Sequence, residues 1–186
     1  MNNSIPIYHK DDFKKMREAG RLAAHILDQL YELIQTGIST LEINDFCHDL
    51  IIKNNAIPAP LNYKGFPKSV CTSVNHVVCH GIPNEKKILN NGDIVNIDVT
   101  VILNGWYGDS SRMFVAGKTN KKNWDLMKIT YECLHIGIKE AQPGNHLGDI
   151  GYKIQEYAES KKYSVVREFC GHGIGQTFHK EPNILH

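Results

Sequence analysis

The sequence has no Cys-x-x-Cys pair, no block of like charge, no basic stretch leading into an apolar core at its start, and no apolar run near the roughly 20 residues of a membrane span. Each absence removes a class of function. Five cysteines (Cys47, Cys71, Cys79, Cys133, Cys170), odd in number and scattered, suit reduced thiols in a cytoplasm better than a disulfide framework or a zinc ribbon. A formal net charge of +1 without a charge run gives no footprint for nucleic acid or a membrane surface. Lys121-Lys122 and Lys161-Lys162 read as solvated helix ends. No signal peptide and no membrane span are expected.

What is present is a composition able to fold. With 186 residues, 41% hydrophobic and 22% charged, the chain suits one globular domain or two small halves with an adequate core. Asp11 or Asp12 can cap a helix over about residues 13–34, with Leu22, Ile26, Leu30 and Leu33 along one side and Gly37 beyond its end. Thr40 can cap a second helix over about residues 41–53. Pro58 and Pro60 then mark a loop leading to strands near residues 69–74 and 77–79.

Residues 93–115 carry the chemistry. Asn104-Gly105 separates two runs rich in β-branched and aromatic residues, the strongest short-range hairpin signal. A two-residue turn there pairs positions whose numbers sum to 209, which sets Asp109 opposite Thr100. Side chains alternate faces, so Asp98 shares a face with Thr100 and hence with Asp109. The two aspartates become diagonal neighbours with Cα atoms roughly 7 to 8 Å apart. Asp98 lies in the apolar run Ile94 to Val101, so its carboxylate is expected inside and in need of a positive partner. A turn shifted by one residue would destroy this parity.

From Asn123 the plan recurs: a helix to about residue 141, a break at Pro143-Gly144, a second helix over about residues 147–161, and a strand-like stretch at 164–169. The junction around Gly37 resembles that around Gly144 at a constant offset of 107. On that plan a counterpart of the Asp98 hairpin falls roughly 20 residues past His186.

Four motifs, in order, carry a family resemblance: Val78-Cys79-His80-Gly81-Ile82-Pro83; Gly92-Asp93-Ile94-Val95-Asn96-Ile97-Asp98-Val99; Gly108-Asp109-Ser110-Ser111-Arg112-Met113-Phe114; and Cys170-Gly171-His172-Gly173-Ile174-Gly175 followed by Phe178-His179 and Glu181-Pro182. From about Phe13 to His186 the chain resembles bacterial type I methionine aminopeptidases, which remove the initiator methionine from new polypeptides. The resemblance implies an α/β (α+β) pita-bread (creatinase/aminopeptidase) fold. It also implies one domain over residues 1–186, incomplete at its C-terminus, with pseudo-repeat halves of about 13–115 and 120–186. In the family two divalent metals are held by two Asp, one His and two Glu. The match makes Asp98, Asp109 and His172 ligands, with Asp109 bridging; both glutamates lie, in the family, after the position of His186.

Mixed carboxylate and imidazole ligation suits Mn, Fe, Co or Zn. By the same resemblance His80 and His179 contact substrate and stabilise the tetrahedral intermediate, a role worth roughly 2.7 to 4 kcal/mol for a single donor. Tyr63, Phe66, Cys71 and Phe178 match the pocket for the methionine side chain, whose thioether packs well on rings and sulfur. Pro60 stands where many relatives carry Cys, and Phe66 where many carry Tyr. His9, His25, His48, His76, His135 and His146 lack such context and read as surface or capping residues. The implied partner is the N-terminal Met of nascent polypeptides at the ribosome, met by a cytoplasmic monomer.

Two other readings stand beside this one. A non-catalytic pita-bread binding module would have lost ligands by substitution, whereas Asp98, Asp109 and His172 are intact; a degraded gene product is the other alternative. A proline-specific peptidase fits the Cys-His-Gly-Ile-Pro motif less well. Translation of the DNA beyond the codon for His186 decides between a fragment and a degraded gene. A polypeptide limited to these 186 residues is expected to hydrolyse Met-Gly-Met-type peptides negligibly with Mn or Co, its metal cage and acid/base being incomplete. Turnover comparable to that of a full-length relative would refute this.

Overall fold

The structure is a computed structural model describing residues 5–186; residues 1–4, part of the N-terminal stretch considered above for a leader, lie outside the described residues. The chain divides into two compact units. The first holds Pro6–Asn120 with Gly175–Phe178, the second Lys121–Ile174 with His179–His186 and Ile5.

In the first unit, helices α1 (Lys10–Gln29) and α2 (Thr40–Lys53) precede strands β1 (Ile57–Pro58), β2 (Cys71–Val74), β3 (Ile94–Leu103) and β4 (Trp106–Val115). β3 is the spine of an antiparallel sheet, with β4 along one edge and β1 and β2 sharing the other. Its pairing with β4 runs from Ile94 opposite Val115 to Leu103 opposite Trp106. Asn104 and Gly105 both have positive φ, 52° and 78°, the requirement of a type I′ turn. The register is therefore the one that the Asn-Gly pair predicts.

Alternation along β3 sorts its residues. Val95, Ile97, Val99 and Val101 are fully buried and join Ala19, Ala23, Ile26 and Leu27 of α1 in one apolar core. Asn96, Asp98 and Thr100 turn to the opposite face. The helix approaches the sheet closely at Gly108, opposite Val101, where a Cβ would collide with the backbone of Ala19.

Several boundaries differ from the sequence reading. α1 starts three residues earlier than expected, with His9 at its N-cap and the Asp12 carboxylate reaching back to accept from the His9 N–H at 3.0 Å. It ends at Gln29, before Ile34, because the following N–H groups bond three residues back, Leu30 to Leu27 and Leu33 to Leu30. The apolar period continues through that tightened turn. Ser39, not Thr40, caps α2: its hydroxyl accepts from Glu42 N–H at 3.1 Å, and Glu42 accepts from Ser39 N–H at 2.8 Å. Thr40, just inside the helix, instead donates to the Asn84 carbonyl at 3.0 Å.

Residues 77–79 form no strand. Asn75 and His80 both take left-handed φ of 54°, so the chain loops out and only Gly81 returns to β2, where its carbonyl accepts from Thr72 N–H at 2.8 Å.

The second unit contains α3 (Lys121–Glu140), α4 (Leu147–Ser160) and the short strands β5 (Gly171–Gly173) and β6 (Lys180–Ile184). Gly137 of α3 lies under Ile150 and Ile154 of α4, where a Cβ would meet the Ile154 side chain at 2.9 Å. The outer side of α3 leaves Trp124, Tyr131, Leu134 and Ile138 exposed. Residues 164–169, expected as a strand, are irregular; pairing begins two residues later and joins β5 to β6 across a register shift between His172 and Gly173. Gly144 at the α3–α4 junction has φ 98°, like Gly37 before α2 at 97°, and α4 and α2 both run for 14 residues. No helix among the described residues is long and apolar enough to cross a membrane.

Two glycine replacements separate close approach from helix propensity. Gly108→Ala is expected to lower stability by about 1–3 kcal/mol, because the helix must retreat from the sheet. Gly20→Ala, in α1 with open space around its Cβ, should raise stability by about 0.5–1 kcal/mol. Denaturant titration of both variants measures the contrast.

Candidate metal centre

Asp98 sits at the middle of β3, opposite Cys71 of β2 on one side and Ser111 of β4 on the other. Asp109 lies opposite Thr100, so the two carboxyl groups are diagonal neighbours on one sheet face, and a hydrogen bond joins them. Buried Thr100 stands on the same face between them along β3. This is the arrangement that hairpin parity requires.

Burial first, then the Asp109 charge and the shared hydrogen bond, push the Asp98 carboxyl up to about 7. All three causes act in the same direction. The neighbouring thiols respond to the same field. Burial, followed by the charges of Asp98 and Asp109, pushes Cys71 up to about 12, and burial and Asp98 raise Cys79. Both thiols thus stay protonated at neutral pH, and the face presents carboxylate oxygen as its charged donor. That donor chemistry fits a divalent cation, which would relieve the repulsion and displace the shared proton. Among the described residues, no group of three or more His, Cys, Asp or Glu side chains is gathered as a ligand set. The geometry on the page is that of the aspartate pair.

The remaining candidates of the first unit are held by contacts of their own. His80 holds its left-handed φ beside Cys79, with Nδ1 3.6 Å from the Cys79 sulfur, and the next residue is anchored by Gly81 N–H donating to Ser73 Oγ at 3.1 Å. Tyr63 opens a short 3₁₀ turn, Tyr63–Gly65, and half-buried Phe66 closes it by donating its N–H to the Tyr63 carbonyl at 3.0 Å. The Phe178 ring lies 4.8 Å from the Tyr63 ring and stacks on Tyr107 at 5.6 Å with planes 29° apart. Tyr107 is absent from the sequence-derived set. Its signal was parity: two residues before Asp109 on β4, it shares the aspartate face.

The loop before β2 is held from behind. Buried Asn44 of α2 accepts from Ser69 N–H at 2.8 Å, and His48 meets Ser69 Oγ at 2.8 Å.

In the second unit, His172 of β5 and His179 lie ring to ring, centroids 4.3 Å apart. His172 Nδ1 donates to the Gly173 carbonyl at 2.9 Å, which makes Nε2 the acceptor nitrogen of the neutral ring. Of the histidines without motif context, His9 and His146 stand at the N-caps of α1 and α4, while His25, His76 and His135 are exposed.

Asp98 protonates more readily in the folded chain than at its unfolded value of 3.8, so the folded metal-free state binds more protons between about pH 4 and 7 and loses stability as pH rises through that window. Metal-free Asp98→Asn should therefore melt higher than the parent chain by a few degrees, with an advantage that grows from pH 5 to pH 8. Mn²⁺ should raise the melting temperature of the parent and not of the variant. A pH-independent difference would contradict this origin of the strain.

The sequence matches the family described as metallopeptidase family M24 over residues 14–186. It is similar to the methionine aminopeptidase of Rickettsia prowazekii, 58% identical over 182 residues, covering 98% of this chain and 70% of that protein. Methionine aminopeptidase A of Synechocystis is 49% identical over 186 residues, covering 100% of this chain and 74% of the relative. The crystal structure of the Rickettsia prowazekii enzyme superposes with a TM-score of 0.96 over 98% of this chain and 73% of that one. An Xaa-Pro dipeptidase from Bacillus anthracis, 21% identical with a TM-score of 0.82 over 96% of this chain and 49% of that one, shares the fold alone.

Proposed function

The chain belongs to metallopeptidase family M24, and from that premise we propose that it removes N-terminal methionine from polypeptides by metal-dependent hydrolysis. It is a metallo-aminopeptidase with the pita-bread fold of that family. The observation that carries the reading is the pair Asp98 and Asp109: two carboxyl groups held on one sheet face by the hairpin register and joined by a hydrogen bond, with the Asp98 carboxyl pushed up to about 7.

Asp98, Asp109 and His172 are assigned as ligands of two divalent ions drawn from Mn, Fe, Co or Zn, the aspartates by their register and the histidine by its Gly-rich motif. When bound, the metal supplies Lewis-acid polarisation of the scissile carbonyl and of a water. His80 and His179 donate to the substrate and to the oxygen that gains charge as the carbonyl is attacked. Tyr63, Phe66, Cys71, Phe178 and Tyr107 enclose the methionine side chain. The Cys71 thiol, kept protonated by burial and the aspartate charges, offers sulfur rather than a thiolate to the thioether. The substrate class is the N-terminus of nascent polypeptides as they leave the ribosome, and the enzyme acts as a cytoplasmic monomer. The two units correspond, on this reading, to the halves of an internal repeat.

Two measurements test the proposal. Calorimetric titration with Mn²⁺ should show binding by the chain that Asp109→Ala abolishes. Fused to the part of the Rickettsia prowazekii enzyme that extends beyond the matched region, these residues should release Met from Met-Gly-Met with added Mn²⁺ or Co²⁺, and Asp98→Ala in the fusion should reduce release to background. A fusion that binds metal yet cleaves only Xaa-Pro dipeptides would overturn the methionine assignment.

A further inference from the structure

The segment before α1 runs largely exposed: Ile5 is 54% and Ile7 87% accessible, and His9 faces solvent. Tyr8 alone among these residues turns its ring inward. It meets the buried Trp106 ring edge-on at 5.7 Å, with planes 67° apart, and Lys15 of α1 lies over that indole at 5.9 Å. The phenol end of Tyr8 rests on Gly175, filling the space that a Cβ there would occupy. Gly175 is buried, and its carbonyl accepts from Tyr107 N–H at 2.8 Å. Three residues on, Phe178 enters between Tyr63 and Tyr107. The intervening Gln176 and Thr177 are exposed. At its start, Gly175–Phe178 is thus held by Tyr107 N–H on one side and by the Tyr8 ring on the other.

We infer that Tyr8 is a positioning residue for the pocket: by pressing Gly175 onto β4 it seats Phe178 between Tyr63 and Tyr107. Tyr8 lies outside residues 14–186, the span matched to the peptidase family, and none of the sequence motifs includes it. Its role in substrate selection rests on the reading of Phe178 as part of the methionine pocket. The clamp itself does not. Trp106 gives the Tyr8 ring a fixed edge to pack on, and Lys15 holds the indole from the helix side, so the strap carries its inward residue at a defined place despite exposed neighbours.

The test uses exchange and ring shifts in the chain and kinetics in the fusion. Tyr8→Ala should speed exchange of the Tyr107 amide by about tenfold or more and shift the Phe178 ring resonances, while Tyr8→Phe, which keeps the ring, should largely retain both. Gly175→Ala should lower the melting temperature in the parent and cost nothing further when combined with Tyr8→Ala, since the colliding ring is gone. In the fusion, Tyr8→Ala should raise KM for Met-Gly-Met about fivefold or more with kcat nearly unchanged, the pattern of lost uniform binding. Unchanged Tyr107 exchange and Phe178 shifts in Tyr8→Ala would overturn the clamp. Altered exchange with unaltered KM would overturn its role in substrate selection. A fusion that releases no methionine would instead defeat the proposed function, with exchange and ring shifts still deciding the clamp.

Discussion

The pairing of Thr100 with Asp109 places two carboxyl groups on one face of a hairpin, and the first unit is built so that Asp98 cannot leave while Asp109 lies exposed on the outer strand. Asp98 is flanked by strands on both sides, which half-buries it and blocks the escape open to a carboxylate on an edge strand. Repulsion alone would splay such a pair, yet a type I′ turn at one end and a row of fully buried valines and isoleucine beneath hold the register. A slip by one residue would carry Val99 and Ile97 to the polar face, and the apolar burial lost would far exceed the relief of two like charges. The core thus holds the two carboxyl groups together against their repulsion, which a bound divalent cation would relieve.

The same coupling of core and site recurs at adjacent residues. Gly108 permits α1 to lie against β4, and Asp109, its neighbour, points the other way toward the face it shares with Asp98. Asn44 and Ser39 act similarly from α2: the first anchors the approach to β2, where Cys71 faces Asp98, and the second secures the helix from which Asn44 projects. Side chains far from any reacting atom therefore determine where the polar face lies and how its members are spaced.

Much of this was written locally, and what was not has a physical cause. The Asn104-Gly105 pair demands positive φ at both positions, so turn, register and the meeting of Asp98 with Asp109 follow from a few residues. The expected strand at 77–79 fails because Asn75 and His80 adopt left-handed geometry, a choice set by the contact of Gly81 with β2 and invisible in local propensity. Ser39 and Thr40 are nearly equivalent as caps on paper, and Glu42 three residues after Ser39 is what selects between them. β6 escaped notice because Pro182 interrupts it, and its pairing with β5 is irregular. Tyr107 was readable by parity, whereas Tyr8 depends on Gly175, distant in sequence, and no local pattern announces it.

The two-residue turn also governs which changes in length this gene can tolerate. Inserting one codon between Leu103 and Trp106 while the two-residue turn is kept would reverse the facing of every residue of β4, sending Asp109 toward α1 and Gly108 away from it. Inserting two with the same turn would shift the pairing by two and restore the alternation. Natural variants of this hairpin should accordingly differ by even numbers of residues, and an odd step should appear only with a compensating bulge that resets the count before Gly108.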